Sequence, residues 1–177
     1  MLLLPSSLRV VFLASMISLL GLTACASNSE ENAREPVEME LQFKASDSVN
    51  QDDQKRAAPI VVRLYELKTP ETFNDADFFS LQGKDKTVLG DDMAARDQFQ
   101  LRPGETKTIK RTANSRTTTL GVFAAYRDLP NSTWRATWPM PPSPPAAWYR
   151  FFSTKLKLVI TLDANAIEIA DGQSANK

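Results

Sequence analysis

A single cysteine, Cys25, and the complete absence of histidine set the chemistry open to this 177-residue chain. Without His there is no side chain that titrates near neutrality unperturbed and no zinc site of the Cys/His type, and one Cys cannot build a disulfide framework. A hydrolase built on nucleophile, base and orienter would need Lys as its base, and glycoside hydrolysis would need two carboxylates flanking a bond. Acid pairs occur at Asp52 and Asp53, Asp75 and Asp77, and Asp91 and Asp92. Adjacent acids in polar stretches are usually solvated surface, and none of these stands beside an apolar cluster that would raise a carboxyl pKa. Asp91-Asp92 also lacks the alternate spacing and distal Glu of a calcium loop. The reading therefore contains no catalytic residue, metal ligand or cofactor. With 21 Lys plus Arg against 21 Asp plus Glu the net charge is zero, which argues against a nucleic-acid partner.

What Cys25 can do is written in the residues before it. Met1 to Ala24 carries one charge, Arg9, followed by an uncharged apolar stretch from Val10 to Leu22. At ~1.5 Å per residue that stretch is too short to cross a hydrocarbon layer of ~30 Å comfortably, so it reads as a secretion signal. It closes on Leu22-Thr23-Ala24-Cys25, which resembles the bacterial lipobox: an apolar residue, two small ones, and the Cys whose thiol receives a diacylglycerol before cleavage. An unpaired thiol would otherwise be a liability in an oxidising compartment. A three-chain anchor of the lipoprotein type binds a bilayer permanently, at ~0.8 kcal/mol per buried CH₂. Ala26 follows where an Asp is the usual inner-membrane retention signal, so the resemblance implies the periplasmic face of the outer membrane. Residues 26–36 are polar and without apolar periodicity, which makes them a tether. The expected division is a signal over 1–24, a lipid tether over 25–36, and one domain over 37–177.

The elements expected in that domain are strands. Val37, Met39, Leu41 and Phe43 alternate with Glu38, Glu40, Gln42 and Lys44, and Leu156, Leu158, Ile160 and Leu162 repeat the pattern, which suggests two edges of one β core. Ile60 to Leu67 is a nearly continuous apolar run. Gln98 to Arg102 and Thr106 to Arg111 flank Pro103-Gly104-Glu105 and read as a hairpin. Thr117 to Arg127 reads as a central strand covered on both faces, and Thr133 to Trp138 and Ala166 to Ile169 complete about eight short strands, the signature of an all-β sandwich. One short helix interrupts them: Thr69 as N-cap, Pro70 at the first position, then Phe73, Ala76 and Phe79, ending before Gly83 with its Phe residues capping one end of the sandwich. Pro139 to Pro145 holds five prolines in seven residues and reads as a stiff connection.

Two surface features remain. Trp134, Trp138, Trp148, Tyr149, Phe151 and Phe152 would form a platform for carbohydrate or a small ligand if exposed together, although aromatics in a sandwich more often fill its core. The polar connection from Ser46 to Pro59 is longer than a hairpin needs, and long loops in compact domains are often binding loops. Its Asp52 and Asp53 beside Lys55 and Arg56 suit a charge-registered contact.

The runs Pro59-Ile60-Val61-Val62-Arg63-Leu64-Tyr65-Glu66-Leu67-Lys68, Ala76-Asp77-Phe78-Phe79, Leu89-Gly90-Asp91-Asp92, Leu101-Arg102-Pro103-Gly104-Glu105 and Leu120-Gly121-Val122-Phe123-Ala124-Ala125-Tyr126-Arg127-Asp128, closing on Trp134-Arg135, resemble the TssJ family of type VI secretion outer-membrane lipoproteins. The resemblance implies a transthyretin-like two-sheet β-sandwich with a small helical insertion after the second strand. It implies a non-enzymatic role: holding the periplasmic C-terminal region of the inner-membrane protein TssM within a TssJ/TssL/TssM membrane complex, and so tying that complex to the outer membrane. The family's contact loop joins the first two strands. By position it supplies Ser46, Asp47, Ser48, Val49, Asn50, Gln51, Asp52, Asp53, Gln54, Lys55 and Arg56 as the expected partner-binding residues, with Cys25 as the lipidated one.

Overall fold

The computed structural model describes residues 37–141 and 154–172. The leader, Cys25, the tether, the aromatic residues Trp148 to Phe152 and most of the proline stretch lie outside the described residues. In chain order the elements are β1 (Val37–Ala45), β2 (Ile60–Leu67), α1 (Glu71–Asp75), α2 (Phe78–Leu89), β3 (Met93–Leu101), β4 (Thr106–Thr112), β5 (Thr119–Ala124), β6 (Arg135–Pro139), β7 (Thr154–Leu162) and β8 (Ile167–Asp171). They form two four-stranded sheets, ordered β4-β1-β7-β8 and β3-β2-β5-β6.

The alternating strands behave as their pattern requires. Val37, Met39, Leu41, Phe43 and Ala45 turn inward and are buried, as are Leu156, Leu158, Ile160 and Leu162. They meet Ile60, Val62, Leu64, Leu101, Leu120, Val122 and Ala124 from the other sheet in one core. These two strands are not edges, however. They are parallel neighbours in the middle of the first sheet, with Leu41 opposite Leu158 and Phe43 opposite Ile160. Alternation identifies a buried face but not a neighbour.

The expected hairpin is also absent: β3 pairs with β2 and β4 with β1, so the turn between them crosses from one sheet to the other. Gly104 makes the crossing possible, with φ 74°, and a Cβ there would meet Asp47 Oδ1 at 2.8 Å. Along the edge strand β4, Lys107 and Arg111 are paired in register with the inward residues Phe43 and Met39. Lys107 Nζ lies 5.5 Å from the centre of the Phe99 ring, and Arg111 forms ion pairs to Glu66 at 2.7 Å and Asp97 at 2.5 Å. Glu66, 1% exposed, also accepts from Asn114 N at 2.7 Å and Thr117 Oγ1 at 2.9 Å. A buried carboxylate is tolerable only with such a set of donors.

The helical region is longer than expected and starts differently. Thr69 is not its cap; α1 follows Pro70 without a side-chain cap, and Asp77 caps α2 by accepting from Ser80 N at 3.0 Å. The second helix runs through Gly83, kinks at Lys84 and ends at Gly90. Instead of capping an end, both helices cover the outer face of the second sheet, where Phe73, Phe78, Leu81 and Leu89 pack on Tyr65, Leu67 and Phe123. This explains the continuous apolar run in β2: one face meets the first sheet and the other meets the helices. It also explains Gly121 in the fully buried β5, since a Cβ there would stand 3.2 Å from the Phe73 ring. Among the described residues Phe79 is the only large hydrophobic residue left exposed, at 70%.

Arg63 fastens the second helix to the sheet. Its Nη1 donates to Leu81 O at 2.6 Å and its Nη2 to Gln82 O at 2.9 Å, carbonyls that lie just before the kink. Asp85, 7% exposed, completes the attachment: it pairs with Arg63 at 3.2 Å and Arg96 at 2.9 Å and accepts from Tyr65 Oη at 2.8 Å. Burial pushes the Tyr65 hydroxyl up to about 12, so it stays a donor at any working pH. Asp85→Ala strands two guanidinium groups and a phenol, and urea unfolding should register a loss of about 3 kcal/mol. Tyr65→Phe, which removes one donor and leaves the ion pairs, should cost about 1 kcal/mol.

Candidate docking surface

β1 and β7 run in the same direction, so the connections that follow them, residues 46–59 and 163–166, emerge at the same end of the sandwich. The antiparallel partners bring the 102–105 and 125–134 connections there too. Val37, the first described residue, lies at the opposite end, as do the helical connection and the 113–118 turn.

The 46–59 loop is built in two parts. Its root belongs to the body of the domain: Ser46 N donates to Leu162 O at 2.9 Å, Ala58 N to Val49 O at 3.1 Å, and Val49 is fully buried in the main core. Asn50 is 3% exposed, so these two expected contact residues face inward. The tip is a clasp closed by Asp52. Its Oδ1 accepts from Gln54 N at 2.9 Å and Arg56 N at 3.0 Å, its Oδ2 pairs with the Arg56 guanidinium at 2.7 Å, and Asp52 N donates to Arg56 O at 3.1 Å. Asp53, Gln54, Lys55 and Arg56 are exposed around it, Asp47 is exposed beside Gly104, and Ser46, Ser48 and Gln51 are half-buried. Hydrogen bonds from Arg56 hold the Asp52 carboxyl down at about 2.

A polar cleft of about 310 Å³ separates this tip from its neighbours, with Gln51, Asp52, Asp53 and Lys55 on one wall and Asp128 and Asn165 on the other. A larger cleft, about 440 Å³, lies at the far end on the outer face of the first sheet. There the cations are already matched, Lys110 and Lys157 to Glu40 and Lys155 to Glu38 at 3.4 to 3.8 Å, across a flat strand surface. The second wall of the smaller cleft was not foreseen from the sequence. Only the parallel pairing of distant strands brings Asn165 there.

Two of the other acidic candidates are spent on structure. Asp77 is a helix cap whose pKa is lowered by its hydrogen bonds from Ser80, and Asp92 accepts from the Thr72 hydroxyl at 2.5 Å. Asp52 and Asp53 lie in the 46–59 loop, whereas Asp75, Asp77, Asp91 and Asp92 all lie in the helical connection between β2 and β3, at the other end of the sandwich. Among the described residues no group of three or more His, Cys, Asp and Glu could hold a metal ion, and no helix is long and apolar enough to cross a membrane. Trp134 is packed edge-on against Phe78 at 5.3 Å and Phe123 at 5.7 Å, with the Arg135 guanidinium 4.8 Å from its centre. Trp138 is half-buried against the core. No joint aromatic platform exists among the described residues.

Fold and surface together define a two-sheet β module with a helical flank on one sheet. The chain belongs to the T6SS-SciN family, type VI secretion lipoprotein, VasD, EvfM, TssJ, which it matches over residues 37–165. It is similar to the type VI lipoprotein TssJ1 from Pseudomonas aeruginosa, at 38% identity and TM-score 0.68, covering 77% of this chain and 96% of that one. It is also similar to Serratia marcescens Lip, a membrane-bound component of the type VI secretion system, at 33% identity and TM-score 0.67, over 77% of this chain and 97% of that one. A chain from the structure of the TssM C-terminal domain from EAEC shares the fold at 20% identity and TM-score 0.57, over 75% and 97%. No curated protein matches. Membership makes the protein a type VI secretion lipoprotein.

The clasp has a testable titration. Its carboxyl is depressed in the folded state, so its contribution is complete above the ordinary value of 3.8 and disappears as the pH falls through about 2. NMR should show the Gln54 and Arg56 amide signals moving with a midpoint near 2, and Asp52→Asn should abolish that titration.

Proposed function

We propose that the protein is the outer-membrane lipoprotein of a type VI secretion system, held by acyl chains on Cys25, and that it docks the periplasmic C-terminal region of TssM through the end of the sandwich that carries the 46–59 loop. It acts within a TssJ/TssL/TssM membrane complex, ties that complex to the outer membrane and catalyses nothing. The observation that carries this reading is the separation of the two ends. The chain from Cys25 enters at Val37, and the nine residues of β1 place the loop roughly 27 Å away along the strand, at ~3.4 Å per residue. A tether over 25–36 adds a reach of at most ~40 Å at ~3.3 Å per residue. An attachment that enters at the Val37 end therefore leaves the loop at the other end free for a partner.

The loop meets such a partner with polar groups. Asp53, Lys55 and Arg56 offer charge of both signs, and Val49, its one sizeable apolar residue, is committed to the core. Contacts of this kind set register and association rate more than raw affinity, and the cleft beside the loop enlarges the surface available. The occurrence of a chain of this fold in the structure of the TssM C-terminal domain from EAEC supports that partner.

Two experiments separate anchoring from docking. Removing Gln51 to Lys55 should weaken binding to the TssM periplasmic region about tenfold or more by calorimetry while the melting curve stays cooperative; undiminished affinity would reject the loop's role. Cys25→Ser should leave a folded protein that no longer sediments with outer membranes. Sedimentation unchanged by that substitution would mean that acyl chains do not hold it.

A further inference from the structure

Asn50 stands where the root of the 46–59 loop meets its tip, and it holds more than its own loop. Its Nδ2 donates to Pro59 O at 2.9 Å, which closes the loop on its exit, and its Oδ1 accepts from Arg127 N at 2.8 Å, in the 125–134 connection. The residue is 3% exposed, and its backbone is left-handed, with φ 53°. Asn fits this position on three counts. It tolerates a positive φ better than other residues with a side chain, and it presents a donor and an acceptor in one short planar group. It can also be buried because both ends of that group are satisfied.

We propose that Asn50 is a positioning residue that welds the 46–59 loop to the 125–134 connection, making the two walls of the 310 Å³ cleft one preformed docking surface. The inference rests on the docking reading above and deepens it: the partner meets Asp128 and the loop tip as a single rigid unit. A connection of this length without the weld would have to be ordered at the moment of association, and that cost would appear as a slower encounter. Asp52 stiffens the tip on its own, through contacts confined to residues 52–56. Asn50 alone joins the tip's base to a second connection by its side chain.

The substitutions separate geometry from bonding. Asn50→Gly keeps the left-handed backbone and loses both side-chain bonds; Asn50→Asp keeps the acceptor for Arg127 and sets a carboxylate against the Pro59 carbonyl. With the full chain in detergent, amide exchange at Arg127 in the Gly variant and at Ala58 in both should accelerate about tenfold, with β1 and β5 unchanged. Association with the TssM periplasmic region should slow by a similar factor, about tenfold, with less change in dissociation. Tyr65→Phe serves as the control for a loss of stability remote from the loop and should leave association unaltered. Unchanged exchange at Arg127 and Ala58 in the Gly variant, or accelerated exchange with an unchanged association rate, would overturn the proposal. So would an equal slowing by Tyr65→Phe. Absence of any binding by the unsubstituted protein would instead defeat the docking reading, while the exchange measurement would still decide whether the weld exists.

Discussion

The parallel pairing of β1 with β7 is the constraint from which the rest of the molecule follows. Every inward apolar side chain of the two strands is buried, so a slip of one residue would turn both apolar rows outward and place charged residues in the core. Because the strands run together, the loop after one and the turn after the other emerge side by side, and Ser46 extends the pairing by its bond to Leu162. The antiparallel neighbour β4 and the antiparallel strands β5 and β6 of the other sheet then send the 102–105 and 125–134 connections to the same end. The cleft between Asp53 and Asp128 is thus a by-product of register between two strands separated by residues 46–153 of the chain.

Buried charge in this protein joins layers rather than filling them. Asp85 links helix to sheet through Arg63, Arg96 and Tyr65, and Glu66 links the two sheets through Arg111 and the 113–118 turn. Apolar packing is nondirectional and would let a 12-residue helix slide on the sheet; a carboxylate with three fixed donors does not. The cost of desolvating these groups is offset only when every partner is present, which makes each cluster sensitive to the loss of one member.

Legibility in the sequence followed the range of the interaction. The strict period of Val37 to Lys44 and of Leu156 to Leu162, the continuous apolar run of β2 and the turn at Gly104 depend on neighbours in the chain, and they appear as expected. Sheet order does not: nothing in the residues of β3 and β4 distinguishes a hairpin from a crossing between sheets, because both need the same turn. The helix was underestimated because Gly83 reads as a terminator, whereas Arg63, about twenty residues earlier, supplies donors to the carbonyls before the kink. In the 46–59 loop, length and polarity pointed to a surface element. The division of labour within it, Val49 and Asn50 inward and Asp53 to Arg56 outward, depends on Pro59 and Arg127 and could not be read locally.

Edge strand β4 carries a further implication for how the protein meets other chains. Its sequence is rich in Thr and Ile, the kind of strand that readily adds to another sheet, yet Lys107 and Arg111 direct their charges toward the interior side of that edge. An incoming strand would have to seat itself beside cations already committed to Phe99, Glu66 and Asp97. A second copy that meets this edge therefore finds no bare apolar strand to extend.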